Sequence, residues 1–135
     1  MNKHSVAGIS YKDGKFFIGK RIDKGQMANR WEFPGGKGED GEDDETSLAR
    51  EFEEEFGIPI SDIKVGKQIA YATFKHEEEE RELFAYEISF VKPADGYKLT
   101  EHTDTNWATF EEIEKLDFVD SDKLLFPQLK KYFGI

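Results

Sequence analysis

Gly35-Gly-Lys-Gly-Glu-Asp-Gly-Glu42 runs directly into Asp43-Asp-Glu-Thr-Ser-Leu-Ala-Arg-Glu-Phe-Glu-Glu-Glu-Phe-Gly-Ile58. Asp43 is suited to cap a helix N-terminus, Asp44 and Glu45 complement its positive dipole end, and Gly57 suits a left-handed stop. Together they bracket a helix of about four turns. On that helix Glu51, Glu54 and Glu55 stand at i, i+3 and i+4, so they share one stripe. Leu48, Phe52 and Phe56 form a neighbouring apolar stripe with Ala49 at its margin, and Glu53 points elsewhere. A solvated acidic face is the ordinary reading of a Glu-rich helix. Two features weigh against it here: the carboxylates adjoin the packed stripe, and Gly35, Gly36, Gly38 and Gly41 let the preceding backbone approach a bound group closely. Like charges crowded in a partly buried place need a cation among them. Oxygen donors without His or Cys favour a hard one, Mg²⁺ or Mn²⁺, and such ions usually bind phosphates as well.

Outward from the helix, Val6–Ile9 and Lys15–Lys20 are apolar runs separated by Tyr-Lys-Asp-Gly, a turn signal, and read as a hairpin. Trp31–Phe33 reads as a third strand. Lys64–Phe74 and Glu82–Val91 flank His-Glu-Glu-Glu-Glu and form a second hairpin, with Phe84, Tyr86, Ile88 and Phe90 alternating on one buried face. Trp107–Phe110 reads as a short last strand. Helical pieces follow over Glu111–Leu116 and Asp122–Phe133, with Pro127 as a kink. Strands interleaved with two substantial helices predict a mixed sheet covered on both faces.

At 135 residues, with 37% hydrophobic and 14% aromatic content, the chain is the size of one domain, residues 1–135, with an ordinary core. A net charge of −10 disfavours a nucleic-acid polymer or an anionic membrane as partner, because both need a basic footprint. An anionic ligand would have to be met through a metal. Cysteine is absent, which excludes disulfides and thiolate metal sites and agrees with a cytoplasmic location. The N-terminus lacks the apolar core of a secretory signal, and no stretch approaches the roughly 20 apolar residues of a membrane span.

The segment Gly36–Ile58 resembles the Nudix box: a glycine, five residues, Glu, seven residues, then Arg-Glu-apolar-any-Glu-Glu-any-Gly-apolar. Gly36, Glu42, Arg50, Glu51, Phe52, Glu54, Glu55, Gly57 and Ile58 match every fixed position. Upstream, Met27–Lys37 (Met-Ala-Asn-Arg-Trp-Glu-Phe-Pro-Gly-Gly-Lys) is similar to the segment preceding the box in MutT-type nucleoside triphosphate pyrophosphohydrolases. Downstream, the likeness continues through Glu101, Trp107 and Asp117–Asp122.

The resemblance implies an α/β Nudix fold, an α/β/α sandwich with a mixed central sheet. It implies hydrolysis of a small nucleotide, with water attacking the β-phosphorus of a nucleoside triphosphate to give the monophosphate and pyrophosphate. It places the metal on Glu51, Glu54 and Glu55, with the Gly35 carbonyl and Glu101 as further ligands; an exposed loop glutamate is the alternative for Glu101. Glu51 is the first choice for general base. Gly36 belongs to the loop, and Glu42 and Arg50 form a supporting ion pair. Arg21, Glu32, Phe33 and Asp122 fall on the nucleotide-binding positions, against a surface arginine paired with Glu or Asp for Arg21, core packing for Phe33 and a helix cap for Asp122. Where an asparagine reads oxidised guanine in the best-known MutT pattern, this chain has Asp122. An ionised aspartate only accepts hydrogen bonds, which favours a base presenting donors.

Trp31 and Trp107 read as core aromatics. His4, His76 and His102 lack ligand spacing and read as surface or turn residues. Glu77–Glu80 read as a solvated hairpin tip that discourages edge pairing. Two rivals remain open: a Nudix hydrolase of ADP-ribose or dinucleoside polyphosphates, and a catalytically silent nucleotide-binding regulator. Phe74 stands near the place where ADP-ribose members tend to carry a proline, and no box carboxylate is missing, as it usually is in silent modules.

Overall fold

In the segment Val6-Ala-Gly-Ile9, alternate residues point to opposite faces of a strand, and both faces are buried. The computed structural model describes residues 3–25, 27–39, 41–92, 98–100 and 102–135. Its strands are β1 (Lys3–Ile9), β2 (Tyr11–Lys12), β3 (Lys15–Arg21), β4 (Trp31–Glu32), β5 (Gly35–Lys37), β6 (Ile63–His76), β7 (Glu79–Phe90) and β8 (His102–Ala108). Its helices are α1 (Asp44–Phe56), α2 (Phe110–Glu114), α3 (Asp120–Lys123) and α4 (Phe126–Phe133). One four-stranded sheet has the order β5-β1-β7-β6 and is mixed, since β1 runs parallel to β7. The other joins β2, β3, β4 and β8 around β3, all antiparallel.

The first hairpin is therefore reassigned. Asp13 and Gly14, both at positive φ, form the turn that was read there, but it connects β2 to β3, while β1 belongs to the other sheet. The second hairpin holds: β6 and β7 pair antiparallel around Glu77 and Glu78, both at positive φ. The last strand begins earlier than read, at His102, and Phe110 opens α2. Pro127 sits in the first turn of α4, where its missing N–H costs nothing, instead of kinking a longer helix.

Alternation assigns the two faces to two cores. Val6, Phe17 and Ile88 pack with Leu48, Phe52 and Phe56 of α1, with Tyr86 and Phe90 half-buried beside them. Each such large side chain, taken from water, stabilises by about 1.5–3 kcal/mol. On the other face Ala7, Ile9, Phe16, Ile18, Leu83 and Ala85 pack under Phe110, Ile113, Phe118, Leu125 and Leu129. Gln128 of α4 donates to the Tyr71 carbonyl at 2.7 Å and accepts its N–H at 2.9 Å, closing part of the edge strand β6. The helix ends are as read: the Asp43 side chain accepts the Thr46 N–H, and Gly57, at φ 70°, is the left-handed cap. Among the described residues no helix is long and apolar enough to cross a membrane.

Candidate active site

Between β4 and β5 the chain passes from one sheet to the other through Phe33-Pro34, and the Pro34 carbonyl accepts the Gly8 N–H at 2.8 Å. A cleft of about 650 Å³ opens at this junction. Arg21, Glu32, Phe33, Gly35, Gly36, Arg50, Glu51, Glu54, Glu55 and Asp122 all line it. Glu42 stands behind Arg50, and Glu101 lies outside the described residues.

The polar end is organised by Arg50. Its guanidinium donates to Glu42 (Nε–Oε2 3.1 Å, Nη2–Oε1 3.0 Å) and, through Nη1, to Glu51 Oε1 at 3.1 Å and Glu54 Oε2 at 3.2 Å. Glu39 is 3.6 Å away. The supporting pair with Glu42 is thus present, and the same arginine also bridges two carboxylates of the stripe, Glu51 and Glu54. The hydrogen bond to Glu42 pushes the Arg50 pKa up, while Arg50 and the Ser47 hydroxyl hold Glu42 below the usual carboxylate range. Glu51 moves the other way. Burial raises its pKa, Arg50 opposes the rise, and Glu54 and Glu39 add to it.

The three glutamates are not equivalent. The Glu54 side chain is 58% exposed, whereas Glu55 is only 6% exposed. Glu55 belongs to a second donor group with Glu32 and His102, whose ligand atoms all lie within 4.8 Å of one another. His102 is the residue that sequence reasoning missed. Its side chain is fully buried, stacked on Phe56 at 4.9 Å, with Nε2 at 2.8 Å from Glu32 Oε2. Arg21 reaches the same carboxylate at 3.2 and 3.3 Å, so the pairing with a glutamate that the structural alternative describes is present, and Arg21 also lines the cleft. One signal was available: Gly19 in mid-strand marks a close approach, and a Cβ there would stand 2.7 Å from the His102 ring. Which residue approaches is set by the β3–β8 register, which the sequence does not display.

The loop and helix fit tightly. A Cβ on Gly36 would lie 2.4 Å from the Glu51 carboxyl carbon. At the C-terminal turn of α1 the Lys98 N–H donates to the Phe56 carbonyl, while Thr100 donates its N–H to the Glu55 carbonyl and its hydroxyl to the Glu54 carbonyl. These contacts satisfy acceptors that a helix end leaves open.

Phe74, Leu83 and Val119 also line the cleft. The Phe33 ring is packed against Phe118 and Phe16, so Phe33 contributes through its backbone N–H, which donates to Asp122 Oδ2 at 2.9 Å. Asp122 is not a helix cap, since Val119 precedes the first turn of α3. Complete burial, reinforced by Glu32, raises its pKa well above the usual value, against the opposing Phe33 N–H and Arg21.

A divalent cation fits these donors. Carboxylates strained by burial and mutual repulsion, beside a glycine backbone whose space a Cβ would fill, suit a hard ion, and the His–carboxylate group extends the range towards Mn²⁺. Mg²⁺ should therefore raise the melting temperature by several degrees, because at a hundred times its Kd a ligand stabilises the folded state by about 2.7 kcal/mol. Glu51→Gln should reduce that gain. An unchanged melting curve on chelation, at metal concentrations that support hydrolysis, would remove the cluster from metal binding.

A NUDIX domain model matches residues 1–129. The 8-oxo-dGTP diphosphatase of Proteus vulgaris is 42% identical over 69 residues, 50% of this chain and 62% of that protein. The E. coli ORF135 protein, known in solution, superposes with a TM-score of 0.80 at 26% identity, covering 99% of this chain and 93% of the other. The MutT protein from Methanosarcina mazei Go1 superposes at 0.83 with 22% identity over 99% and 96% of the two chains, a likeness of fold alone. A cleft built on a complete carboxylate helix, in a chain matched along nearly all its length, leads to one conclusion: the protein belongs to the Nudix family and is a hydrolase of nucleotide phosphoanhydride bonds.

Proposed function

We propose that the protein is an Mg²⁺- or Mn²⁺-dependent nucleoside triphosphate pyrophosphohydrolase that releases pyrophosphate and a nucleoside monophosphate, clearing damaged or surplus nucleotides. The observation that carries this reading is that one cleft is lined both by the Arg50-bridged carboxylates and by Phe74, Leu83, Val119 and the buried Asp122. Glu51, Glu54 and Glu55 would hold the cation, with the Gly35 carbonyl and Glu101 as further ligands. When bound, the cation supplies charge neutralisation on the phosphate oxygens and a more acidic water. Glu51, whose burial makes it a stronger base than an exposed glutamate, accepts the proton from the attacking water. Glu42 holds Arg50 in place, and Arg50 in turn orients Glu51 and Glu54. Arg21 and His102 fix the Glu32 carboxylate between them.

Asp122 reads the base. In its protonated form one oxygen carries a donor while the other accepts the Phe33 N–H, which restores the donor–acceptor pair of an asparagine. That pattern suits a base offering an acceptor and a donor side by side, as guanine, its oxidised form and cytosine do.

A panel of nucleotides assayed for pyrophosphate release tests the reading. 8-oxo-dGTP, dGTP or dCTP should be cleaved with Mg²⁺ and not after chelation, and activity confined to ADP-ribose or dinucleoside polyphosphates would refute it. Asp122→Ala should lower kcat/KM for the preferred base by about one to two orders of magnitude, the range of a buried hydrogen bond worth roughly 1.5–3 kcal/mol. Asp122→Asn should preserve it. Because the folded pKa of Asp122 is raised, its contribution to stability is fully present below the unfolded pKa and is lost as pH rises through the folded value. Base preference and melting temperature of the native protein should both decline on that alkaline limb, and Asp122→Asn should flatten both. Equal losses for every base at every pH would show that Asp122 acts by packing.

A further inference from the structure

Asp44 is a further carboxylate on the face of α1 that carries Glu51 and Glu55, and the hydrolytic machinery described above does not use it. It precedes Glu51 by seven residues and Glu55 by eleven, about two and about three whole turns, so the three leave the helix in nearly the same direction. Side chains of the mixed sheet take both of its oxygens. His4 of β1 donates through Nε2 to Oδ1 at 2.8 Å, and the Tyr86 hydroxyl of β7 donates to Oδ2. Burial, and then the Asp44 carboxylate, raises the Tyr86 pKa, so its phenol stays a donor at neutral pH. His4 is therefore a half-buried strand residue, its ring edge-on to Phe84, and not the turn residue its sequence context suggests.

The same histidine also carries the glycine loop. Its carbonyl accepts the Gly38 N–H at 3.1 Å, and a Cβ on Gly38 would collide with its imidazole. One residue thus meets both the start of the carboxylate helix and the end of the strand and loop that contain Gly35 and Gly36. We propose that His4, together with Tyr86, is a positioning residue for hydrolysis: by gripping Asp44 and seating Gly38 it fixes the rotation of α1 about its axis and so aims Glu51 and Glu55 into the cleft. The inference rests on the metal-dependent reading given above. Leu48, Phe52 and Phe56 hold the helix by apolar contact, which has no direction, whereas the two hydrogen bonds to Asp44 do. At about 6 Å from the axis, a roll of about 10° shifts a carboxylate by about 1 Å. A misplacement of that size can cost about a hundredfold in rate.

The test compares folded variants below their melting temperatures by two readouts. One is steady-state hydrolysis of whichever of 8-oxo-dGTP, dGTP and dCTP the native protein cleaves best. The other is the Mg²⁺ concentration that gives half the melting shift without nucleotide. His4→Ala and Tyr86→Phe should each lower kcat, and raise that Mg²⁺ concentration, by about tenfold or more, the range for residues that orient metal ligands, with KM for the nucleotide at saturating Mg²⁺ within about twofold. His4→Gln, whose amide nitrogen can replace Nε2 as donor, should recover most of both losses. Tyr86→Phe removes only a hydroxyl and carries the test if His4→Ala does not fold. A lower melting temperature with kcat and Mg²⁺ dependence unchanged would show that these contacts serve stability alone and overturn the proposal, as would a glutamine variant no better than alanine. A native protein that neither cleaves a nucleotide nor is stabilised by Mg²⁺ would instead refute the reading on which the inference rests.

Discussion

Glutamine in place of Glu54 or Glu55 should lower turnover by at least about two orders of magnitude with the fold intact, because a charge that gathers cations at the phosphates stabilises the transition state more than the ground state. The two variants should differ in their other readouts. Glu54 is mostly exposed and held by Arg50, so its loss should leave the melting temperature nearly unchanged. Glu55 is buried with Glu32 and His102, so neutralising it should also shift stability. Glu53→Gln is the internal control: Glu53 is exposed, off the stripe, and should be silent. Near-native turnover of either cleft variant at saturating Mg²⁺, with circular dichroism confirming the fold, would remove that residue from the chemistry.

Gly36→Ala should be nearly as damaging although it removes no functional group. The new methyl would stand 2.4 Å from the Glu51 carboxyl carbon, and Gly36 is held by its pairing with Val6, so Glu51 must move. Displacing a reacting group by about 1 Å can cost about a hundredfold in rate. The expected result is a loss of that order in kcat with a smaller effect on KM. In a Glu51→Ala background the clash is gone, and adding Gly36→Ala should change little. Additive losses in the double variant would show that Gly36 acts through backbone conformation and not through Glu51.

The carboxylate helix was legible because its determinants are local. Asp43 and Gly57 cap it by contacts with residues at most four positions away, and the i, i+3, i+4 spacing fixes which side chains share a face. Strand partnership was not legible. Alternation in Val6–Ile9 tells that both faces are buried, but not that the neighbour is β7, nearly eighty residues on and parallel, so the nearby run at Lys15–Lys20 reads as the partner. The same ignorance of register hid His102, which reads as a lone histidine until β8 aligns beside β3. Asp122 lines the cleft, but the burial that raises its pKa comes from the folded environment and is not carried by the residue type.

The passage through Phe33-Pro34 divides labour within the molecule. The carboxylate helix rests against the mixed sheet, whereas Arg21, Glu32 and His102 are carried by the antiparallel one, and a strap two residues long ties them. A strap that short limits how far one sheet can slide past the other. In the proposed reading the Phe33 N–H passes that constraint on to Asp122, so the span from Glu51 to Asp122 would act as a gauge of substrate length, and substitutions on the antiparallel sheet would reset the gauge without touching the carboxylate helix.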